Sequence, residues 1–273
     1  MKKHILSLFA VTLAFTVTAA TAAAALPDGG GAQVAVVIDG EPATVRARLV
    51  NDTSYVSVRE FATALGASNV YRVDNTSTVV APRLKLTASL ADKYIVANGR
   101  YLLAESGLFT EGEEIYAPIR ALATAFDAAT YWSGATRTVF IVTGSGAITS
   151  GDKFYSKDDV YWMSRIIYAE ARGEPFLGKV AVGNVVMNRI ECDEFPKTVK
   201  SVIFDKKNGV QFTPVSNGSI NNTPNEECII AAKLALEGSE VVGDSLYFSS
   251  TTKCWAARKR PYVTSVGGHV FYA

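Results

Sequence analysis

The sequence has 273 residues, of which 48% are hydrophobic and 19% are charged. A chain of this length and composition can bury one large core or two ordinary ones, which excludes a disordered or fibrous protein. Its 27 basic and 26 acidic side chains nearly balance, so no global charge favours binding to nucleic acid. We therefore expect a globular protein without a nucleic-acid partner.

The amino terminus has the layout of a secretory signal peptide. A basic start at residues 2–3 is followed by an apolar run at 5–17 and a tract of small residues at 18–25. The run is shorter than the roughly 20 residues that a membrane span needs. We expect residues 1–25 to direct export and to be cleaved near Ala25. Cleavage removes two lysines, which leaves 25 basic and 26 acidic residues and no stable membrane span.

The inventory of metal-binding side chains is small. The mature chain would keep one histidine, His269, and three cysteines, Cys192, Cys228 and Cys254. A single histidine excludes zinc sites built on two or three histidines, and the cysteines form no CxxC spacing. An exported chain could pair two of the three cysteines. We expect no metal site and no cofactor.

Residues 33–143 are predicted to be rich in strands, with interposed helices and an internal repeat. An Asp-Gly pair at 39–40 and an Asn-Gly pair at 98–99 each separate two apolar runs, which predicts β-hairpins. The segments 55–67 and 116–128 read YVSVREFATALGA and YAPIRALATAFDA. Their offset, close to 60 residues, indicates a duplicated hairpin–strand–helix–strand unit.

This part of the chain resembles the amino-terminal domain of copper amine oxidases, a module that also forms repeated stalks on bacterial surface proteins. The resemblance rests on the duplicated Tyr-x-x-hydrophobic-Arg and Ala-Thr-Ala positions. It implies an α+β stalk domain without copper or catalysis, with contact to a cell surface or wall polymer. We expect its aromatic side chains to pack inside the sheets, with a carbohydrate-stacking face as the alternative. These side chains are Tyr55, Tyr71, Tyr116, Tyr131 and Trp132.

The second half of the chain is predicted to be a small, mainly helical domain. Residues 144–155 are small and polar and predict a flexible linker. From 156 to 273 the apolar spacing is mostly helical, and Ser156 is a candidate cap for the first helix. A capping box at 223–226, with Pro224 at the first helical position, predicts a later helix. The whole chain is therefore expected to be α+β.

Glu170 is the anomalous residue of the first helix in this domain. It follows Ile166 and Ile167 by four and three positions, which places it on the apolar stripe. Burial and a helix C-terminus both favour the protonated carboxyl, the form that a general acid needs at neutral pH. The alternative is a structural ion pair with Arg172 or Arg189.

Two phrases, IIYAEARGEP at 166–175 and GKVAVGNVVMNR at 178–189, resemble the cell wall hydrolase family of spore-cortex-lytic enzymes, the SleB type. The resemblance covers 157–273 and implies a lysozyme-like fold that cleaves the glycan strands of peptidoglycan. It implies that Glu170 is the catalytic acid between N-acetylmuramic acid and N-acetylglucosamine. It also implies a lytic transglycosylase outcome, for which one acid suffices. Glu174, the nearest second acid, is not nominated as a nucleophile.

The resemblance and side-chain chemistry together nominate a substrate-binding set. Gln211 supplies an amide for sugar hydroxyls or acetamido groups, Phe212 an aromatic plate and Thr213 a hydroxyl. Tyr247 and Phe248 are candidates for a sugar-stacking wall, with core packing as the alternative. The expected partner is the peptidoglycan glycan strand, and the expected location is extracytoplasmic, in the secreted space or the cell wall.

Two other functions remain open at this level. A cysteine peptidase of wall crosslinks would use Cys192 or Cys228 with His269. A non-catalytic wall-binding surface protein would combine the stalk with a degenerate lysozyme-like domain. Retention of Glu170 within an intact AEARGE phrase favours glycan cleavage over both.

Overall fold

The computed structural model describes residues 32–207 and 209–273, and the predicted signal peptide lies outside them. The described chain is strand-rich in its first part and mainly helical in its second, and each part has its own hydrophobic core. The predicted α+β class is therefore confirmed. Within the described residues, no helix combines the length and the apolar character that crossing a bilayer requires.

The first domain is built mainly from short antiparallel strands. The strands are β1 (Ala32–Gln33), β2 (Ala35–Ile38), β3 (Glu41–Pro42), β4 (Ala47–Val50), β5 (Thr53–Ser57), β6 (Asn69–Val73), β7 (Thr76–Ala81), β8 (Leu84–Ser89), β9 (Tyr94–Ala97), β10 (Arg100–Leu103), β11 (Phe109–Glu111), β12 (Glu114–Pro118), β13 (Ala129–Ser133) and β14 (Thr138–Val142). Helices α1 (Val58–Ala64) and α2 (Ile119–Ala125) interrupt them. The strands form sheets in the orders β1-β4-β5-β12-β11, β10-β9-β8-β7-β6 and β13-β14-β2-β3.

The internal repeat is visible as two units, β5-α1-β6-β7 and β12-α2-β13-β14. Their first strands, β5 and β12, pair antiparallel, and Tyr116 lies opposite Ser57. The same register places Pro118 opposite Tyr55. Because residues 55 and 57 are the repeat equivalents of 116 and 118, the two units meet about an approximate twofold axis.

Both predicted hairpin turns are present. Asp39 and Gly40 have φ values of 49° and 90°, and Asn98 and Gly99 have values of 50° and 80°, as a two-residue type I′ turn requires. The second strand of the first hairpin, predicted at 43–47, does not form there. β3 is Glu41–Pro42, residues 43–46 form no strand, and Ala47 begins β4 in another sheet. Pro42 has no N–H with which to extend the ladder.

The second domain surrounds one buried helix. Its helices are α3 (Gly151–Phe154), α4 (Lys157–Ala171), α5 (Phe176–Glu191), α6 (Val199–Ile203), α7 (Thr213–Asn217), α8 (Glu226–Leu236) and α9 (Trp255–Lys259). The strands β15 (Tyr247–Ser249), β16 (Tyr262–Val266) and β17 (His269–Tyr272) form a sheet in the order β15-β17-β16. Residues 178–186 of α5 are all buried, so this helix is the centre of the domain.

One predicted helix start is confirmed and one is wrong. Ser156 caps α4, because its hydroxyl accepts the N–H of Asp159. The capping box predicted at 223–226 does not form. Asn225 caps α8 instead, with its Oδ1 accepting the N–H of Cys228 at 3.0 Å. Pro224 therefore lies before the helix, where its missing N–H costs nothing.

The segment 144–155 is packed against the first domain, whereas its composition predicts flexibility. Ile148 is 6% exposed within the first core, and its N–H donates to the carbonyl of Ala125 at 3.0 Å. The N–H of Gly151 donates to the carbonyl of Asn98 at 2.9 Å. A Cβ at residue 151 would lie 2.8 Å from the carbonyl carbon of Gly99. The small residues thus permit close packing on the β9–β10 turn.

A buried ion pair joins the two domains. The Arg100 guanidinium donates to both carboxylate oxygens of Glu237, at 2.8 and 2.5 Å, and the side chains are 12% and 5% exposed. Tyr155 donates its hydroxyl proton to Glu237 at 2.6 Å and accepts the N–H of Tyr101 at 3.1 Å. We call Arg100 and Glu237 the junction pair. It connects β10 with the residue that follows α8.

Apolar packing extends the same contact. Tyr94, Tyr101 and Leu103 of the β9–β10 hairpin pack against the core of the second domain. The ring centroid of Tyr94 lies 5.8 Å from that of Phe176. The hairpin therefore covers part of the hydrophobic core that the helices would otherwise expose to water.

Replacing Glu237 with alanine should destabilise the protein by about 3–5 kcal/mol, because it leaves the Arg100 charge buried without its partner. The measurement is the shift of the urea unfolding midpoint. Asp193→Ala is the matched control, since its ion pair with Lys197 is exposed and should change stability by less than about 0.5 kcal/mol. Equal shifts for the two variants would contradict a structural role for the junction pair.

Candidate active site

Glu170 lies in the last turn of α4 and is partly buried. Among the described residues its carboxyl group forms neither a hydrogen bond nor an ion pair. Burial raises the pKa of the Glu170 carboxyl above its usual value, because removal from water disfavours the charged form. The group is thus biased toward the protonated form while remaining unengaged by neighbouring side chains.

The structural ion pair considered for Glu170 does not form. Arg172 is exposed and makes no ion pair with it. Arg189 is 4% exposed and donates its Nε proton to the carbonyl of Leu246 at 2.8 Å. The Arg189 guanidinium lies 5.0 Å from the ring centroid of Phe212, and burial lowers its pKa to about 10. Arg189 therefore links α5 to the segment before β15 and forms no ion pair with Glu170.

Glu174 anchors a turn. Its carboxylate accepts the N–H of Gly268 at 2.6 Å, which holds the β16–β17 turn against the loop after α4. Gly267 has a φ of 59°, and a Cβ there would clash with the carboxylate of Glu174 and lie 2.7 Å from Pro175 Cδ. The carboxylate of Glu174, the second acid near Glu170, is thus already engaged by a backbone N–H.

Lys179 was not among the residues nominated from the sequence. It is 3% exposed, forms an ion pair with Glu227 at 2.9 Å and also donates to the carbonyl of Glu174. The contact supports the turn that follows Glu170. A lysine within the otherwise apolar stretch 176–183 of α5 was the available signal, because a buried ammonium needs partners.

The segment 211–213 divides between the core and the surface. Phe212 is 2% exposed and its ring centroid lies 6.4 Å from that of Phe248, so in this structure it offers no open ring face for a sugar. Gln211 is partly buried and donates to the carbonyl of Gly209 at 3.3 Å. Thr213 is exposed at the start of α7. The amide oxygen and the hydroxyl remain available to a ligand.

Tyr247 and Phe248 are neighbours on β15 with different surroundings. Phe248 packs against Phe271 and against His269, whose ring centroid is 5.1 Å away. The Tyr247 hydroxyl accepts a hydrogen bond from Arg260 at 3.1 Å. Its ring centroid lies 5.6 Å from that of Trp255, which is 54% exposed. Tyr247 and Trp255 thus form an aromatic edge that reaches solvent.

The cysteines and the histidine are not assembled for nucleophilic catalysis. The three cysteines are unpaired, and burial raises the pKa of Cys228 to about 11. His269 is 6% exposed; burial lowers its pKa, and the negative charge of Glu174 opposes that shift. Among the described residues, His269 forms no hydrogen bond with a cysteine, and no cluster of acidic, histidine or cysteine side chains could hold a metal ion.

Comparison with known proteins matches each domain to a family model. Residues 173–272 match the Cell Wall Hydrolase family, and residues 37–141 match the Copper amine oxidase N-terminal domain. The chain therefore carries a copper amine oxidase amino-terminal domain, followed along the sequence by a domain of the cell wall hydrolase family. Glu170 lies three residues before the segment that the first model matches.

Curated relatives of this chain are named as spore cortex-lytic enzymes. The chain is 39% identical to that of Bacillus cereus over 120 residues, which is 43% of this chain and 45% of the relative. It is 34% identical to that of Bacillus subtilis, over 43% of this chain and 38% of the relative. The chain thus spans less than half the length of these curated relatives.

Solved catalytic domains are also similar in sequence. The germination-specific lytic transglycosylase SleB of Bacillus anthracis is 37% identical, with a TM-score of 0.40, over 46% of this chain and all of that one. The SleB protein of Bacillus cereus is 38% identical, with a TM-score of 0.40, over 44% of this chain and 92% of that one.

Replacing Glu170 with glutamine should raise stability at alkaline pH, because the amide avoids burying a charge. A carboxyl whose pKa is raised on folding stabilises the fold below its ordinary pKa and loses that contribution as pH rises through the raised value. The difference in unfolding free energy between variant and wild type should therefore grow from acid to alkaline pH. Urea titrations across this range measure it. Glu191→Gln, an exposed carboxylate at the end of α5, should show no such trend.

Gly267→Ala should lower the unfolding midpoint and displace the β16–β17 turn from Glu174. Gly112 is a matched control, because its φ is 58° and no atom lies within 4 Å of the place that an alanine methyl group would occupy there. Gly112→Ala therefore adds the backbone strain without the clash. Thermal unfolding of both variants separates the two effects. A loss no larger for Gly267→Ala than for Gly112→Ala would contradict the anchoring role of Glu174.

Proposed function

We propose that this protein is an exported peptidoglycan hydrolase that cleaves glycan strands between N-acetylmuramic acid and N-acetylglucosamine. The cell wall hydrolase domain supports the substrate class, and relatives named as spore cortex-lytic enzymes support the same class of polymer. The proposed location is extracytoplasmic, with residues 1–25 acting as the signal peptide. The first domain would position the enzyme on the wall or on a cell-surface partner.

The unpaired and partly buried Glu170 carboxyl is the observation that carries this proposal. In the proposed reaction its proton passes to the glycosidic oxygen while the bond from that oxygen to C1 breaks. The 6-hydroxyl oxygen of the same N-acetylmuramic acid then bonds to C1 and closes a 1,6-anhydro ring. The hydroxyl proton returns to the Glu170 carboxylate, so one carboxyl group serves as acid and then as base.

A second carboxylate is not required for this sequence of steps. A hydrolase that retains configuration would need a nucleophile about 5–5.5 Å from the acid. Glu174 is the nearest acid along the chain, and its carboxylate already accepts the Gly268 N–H. Because this hydrogen bond already engages the Glu174 carboxylate, it favours a lytic transglycosylase over a hydrolase with two carboxylates.

Substrate contacts are assigned to the groups that remain open. Gln211 and Thr213 would bind sugar hydroxyls or acetamido groups, and Tyr247 would contribute an aromatic ring beside Trp255. Phe212 and Phe248 are proposed to support these groups from the core, since Phe212 is 2% exposed. The C–H groups of a sugar ring pack against the negative face of an aromatic ring.

The two alternatives receive less support. A cysteine peptidase needs a thiolate beside a histidine, whereas Cys228 is buried with a raised pKa. A non-catalytic wall-binding protein would gain nothing from a desolvated and unpaired carboxyl, which costs stability whenever it ionises.

The test is mass spectrometry of the soluble products released from purified peptidoglycan by the mature protein and by Glu170→Gln. We expect anhydro-muropeptides from the wild type and at least about a 100-fold slower release by the variant, as for loss of a general acid. The wild-type rate should fall as pH rises through the raised pKa of Glu170, because only the protonated carboxyl can donate. Glu191→Gln should retain wild-type activity.

Other products would redirect the proposal. Muropeptides with reducing ends would keep the glycosidase and require a second carboxylate. Cleaved peptides with intact glycan would favour the peptidase. Binding to the wall without release of any product would favour the binding protein.

A further inference from the structure

A groove lies where the two domains meet, away from Glu170. Its volume is about 740 Å³, within the roughly 300–1,000 Å³ of ordinary ligand sites. One side is formed by the end of α8 and its following loop, residues 237–240, and the other by the first domain. The junction pair lines it as well. We call it the junction groove.

One exposed aromatic ring faces this groove. Of the five aromatic side chains considered in the first domain, Tyr55 and Tyr116 are buried. Tyr131 is 69% exposed and Trp132 is 39% exposed, and both residues of β13 belong to the groove lining.

The strand β13 turns these two side chains to opposite faces, because successive residues of a strand alternate. Trp132 lies opposite Val139, which also lines the groove. Tyr131 lies opposite Phe140, which does not. Trp132 is therefore the ring on the groove side of the strand.

Tyr71 provides an internal comparison. It occupies the position in the first repeat that Tyr131 occupies in the second, and it is 44% exposed. It is not part of the groove lining. Exposure of the ring is therefore common to both repeats, whereas the groove is formed only beside the second.

Polar groups surround the ring. Four charged residues, Asp52, Glu105, Arg120 and Glu240, line the groove and form no ion pair among the described residues. The hydroxyl side chains of Thr53 and Thr130 line it as well. Carboxylates accept hydrogen bonds from hydroxyl groups, and the guanidinium donates to carbonyl oxygens such as those of acetamido groups. The unpaired charges are three carboxylates and one guanidinium, which disfavour a polyanion, so the site suits an uncharged and highly hydroxylated ligand.

We propose that the junction groove binds N-acetylated amino sugars of a glycan strand, with Trp132 stacking on a sugar ring. This would be a second glycan site, built by the first domain and distinct from the site around Glu170. The choice of amino sugars rests on the proposed function, because that function defines the polymer on which the enzyme acts. The junction pair fixes the groove relative to the hydrolase domain, so the strand would be held in a constant position.

The test is calorimetric titration of the full mature chain carrying Glu170→Gln with the tetramer of N-acetylglucosamine. The inactive background separates binding from turnover. Adding Trp132→Ala should weaken binding at least about tenfold. Adding Tyr131→Ala, which removes the ring on the opposite face of β13, or Tyr71→Ala should leave the affinity unchanged. Thermal unfolding of each variant checks that the fold is retained, and it should be, because these rings are exposed.

Several outcomes would overturn the proposal. Equal affinity with and without Trp132 would place the sugar elsewhere, and absence of saturable binding would remove the ligand class. Saturable binding of free stem peptide, with none of the sugar tetramer, would assign the groove to peptide. Failure of the proposed function is separate from these, since it would appear as absent glycan cleavage by the wild type with binding intact.

Discussion

The geometry of this molecule depends on one buried ion pair between its domains. Arg100 comes from the β9–β10 hairpin and Glu237 from the end of α8, and Tyr155 adds a hydrogen bond to the same carboxylate. Burying two charges is costly, and their mutual attraction offsets that cost only when the geometry and additional hydrogen bonds are good. The pair is therefore satisfied only when Arg100 and Glu237 keep this relative position. It thus favours one arrangement of the two domains.

Within this two-domain structure, Glu170 differs from the other buried charged groups. Arg100 is paired, Lys179 is paired and Arg189 is enclosed by rings and a carbonyl. Glu170 has no such partner among the described residues. Within the part of the chain that the structure describes, Arg189 keeps one buried guanidinium nitrogen without a hydrogen-bond partner, but it donates from another. Glu170 there is a desolvated carboxyl without any such bond, a loss of stability of the kind found at functional sites.

The sequence predicted local features well and packing between distant segments poorly. Periodicity, caps and Asp-Gly or Asn-Gly turns act over a few residues, so the start of α4 and both hairpin turns could be anticipated. The status of Glu170 as an apolar-face carboxyl followed from its spacing alone. The packing of 144–155, the use of Phe212 in the core and the role of Lys179 depend on residues far apart in the chain. Composition favoured flexibility for 144–155, and only the proximity of the β9–β10 turn explains its order.

The contact between Glu174 and the β16–β17 turn has a consequence for sequence variation in this domain. The carboxylate occupies the volume that a side chain at position 267 would need. An acid at 174 and a glycine at 267 therefore form one unit. A change at 267 alone meets a steric barrier, and a change at 174 alone removes the hydrogen-bond acceptor of Gly268. The two positions should covary, and a shorter residue at 174 would be the first step on any route that fills position 267.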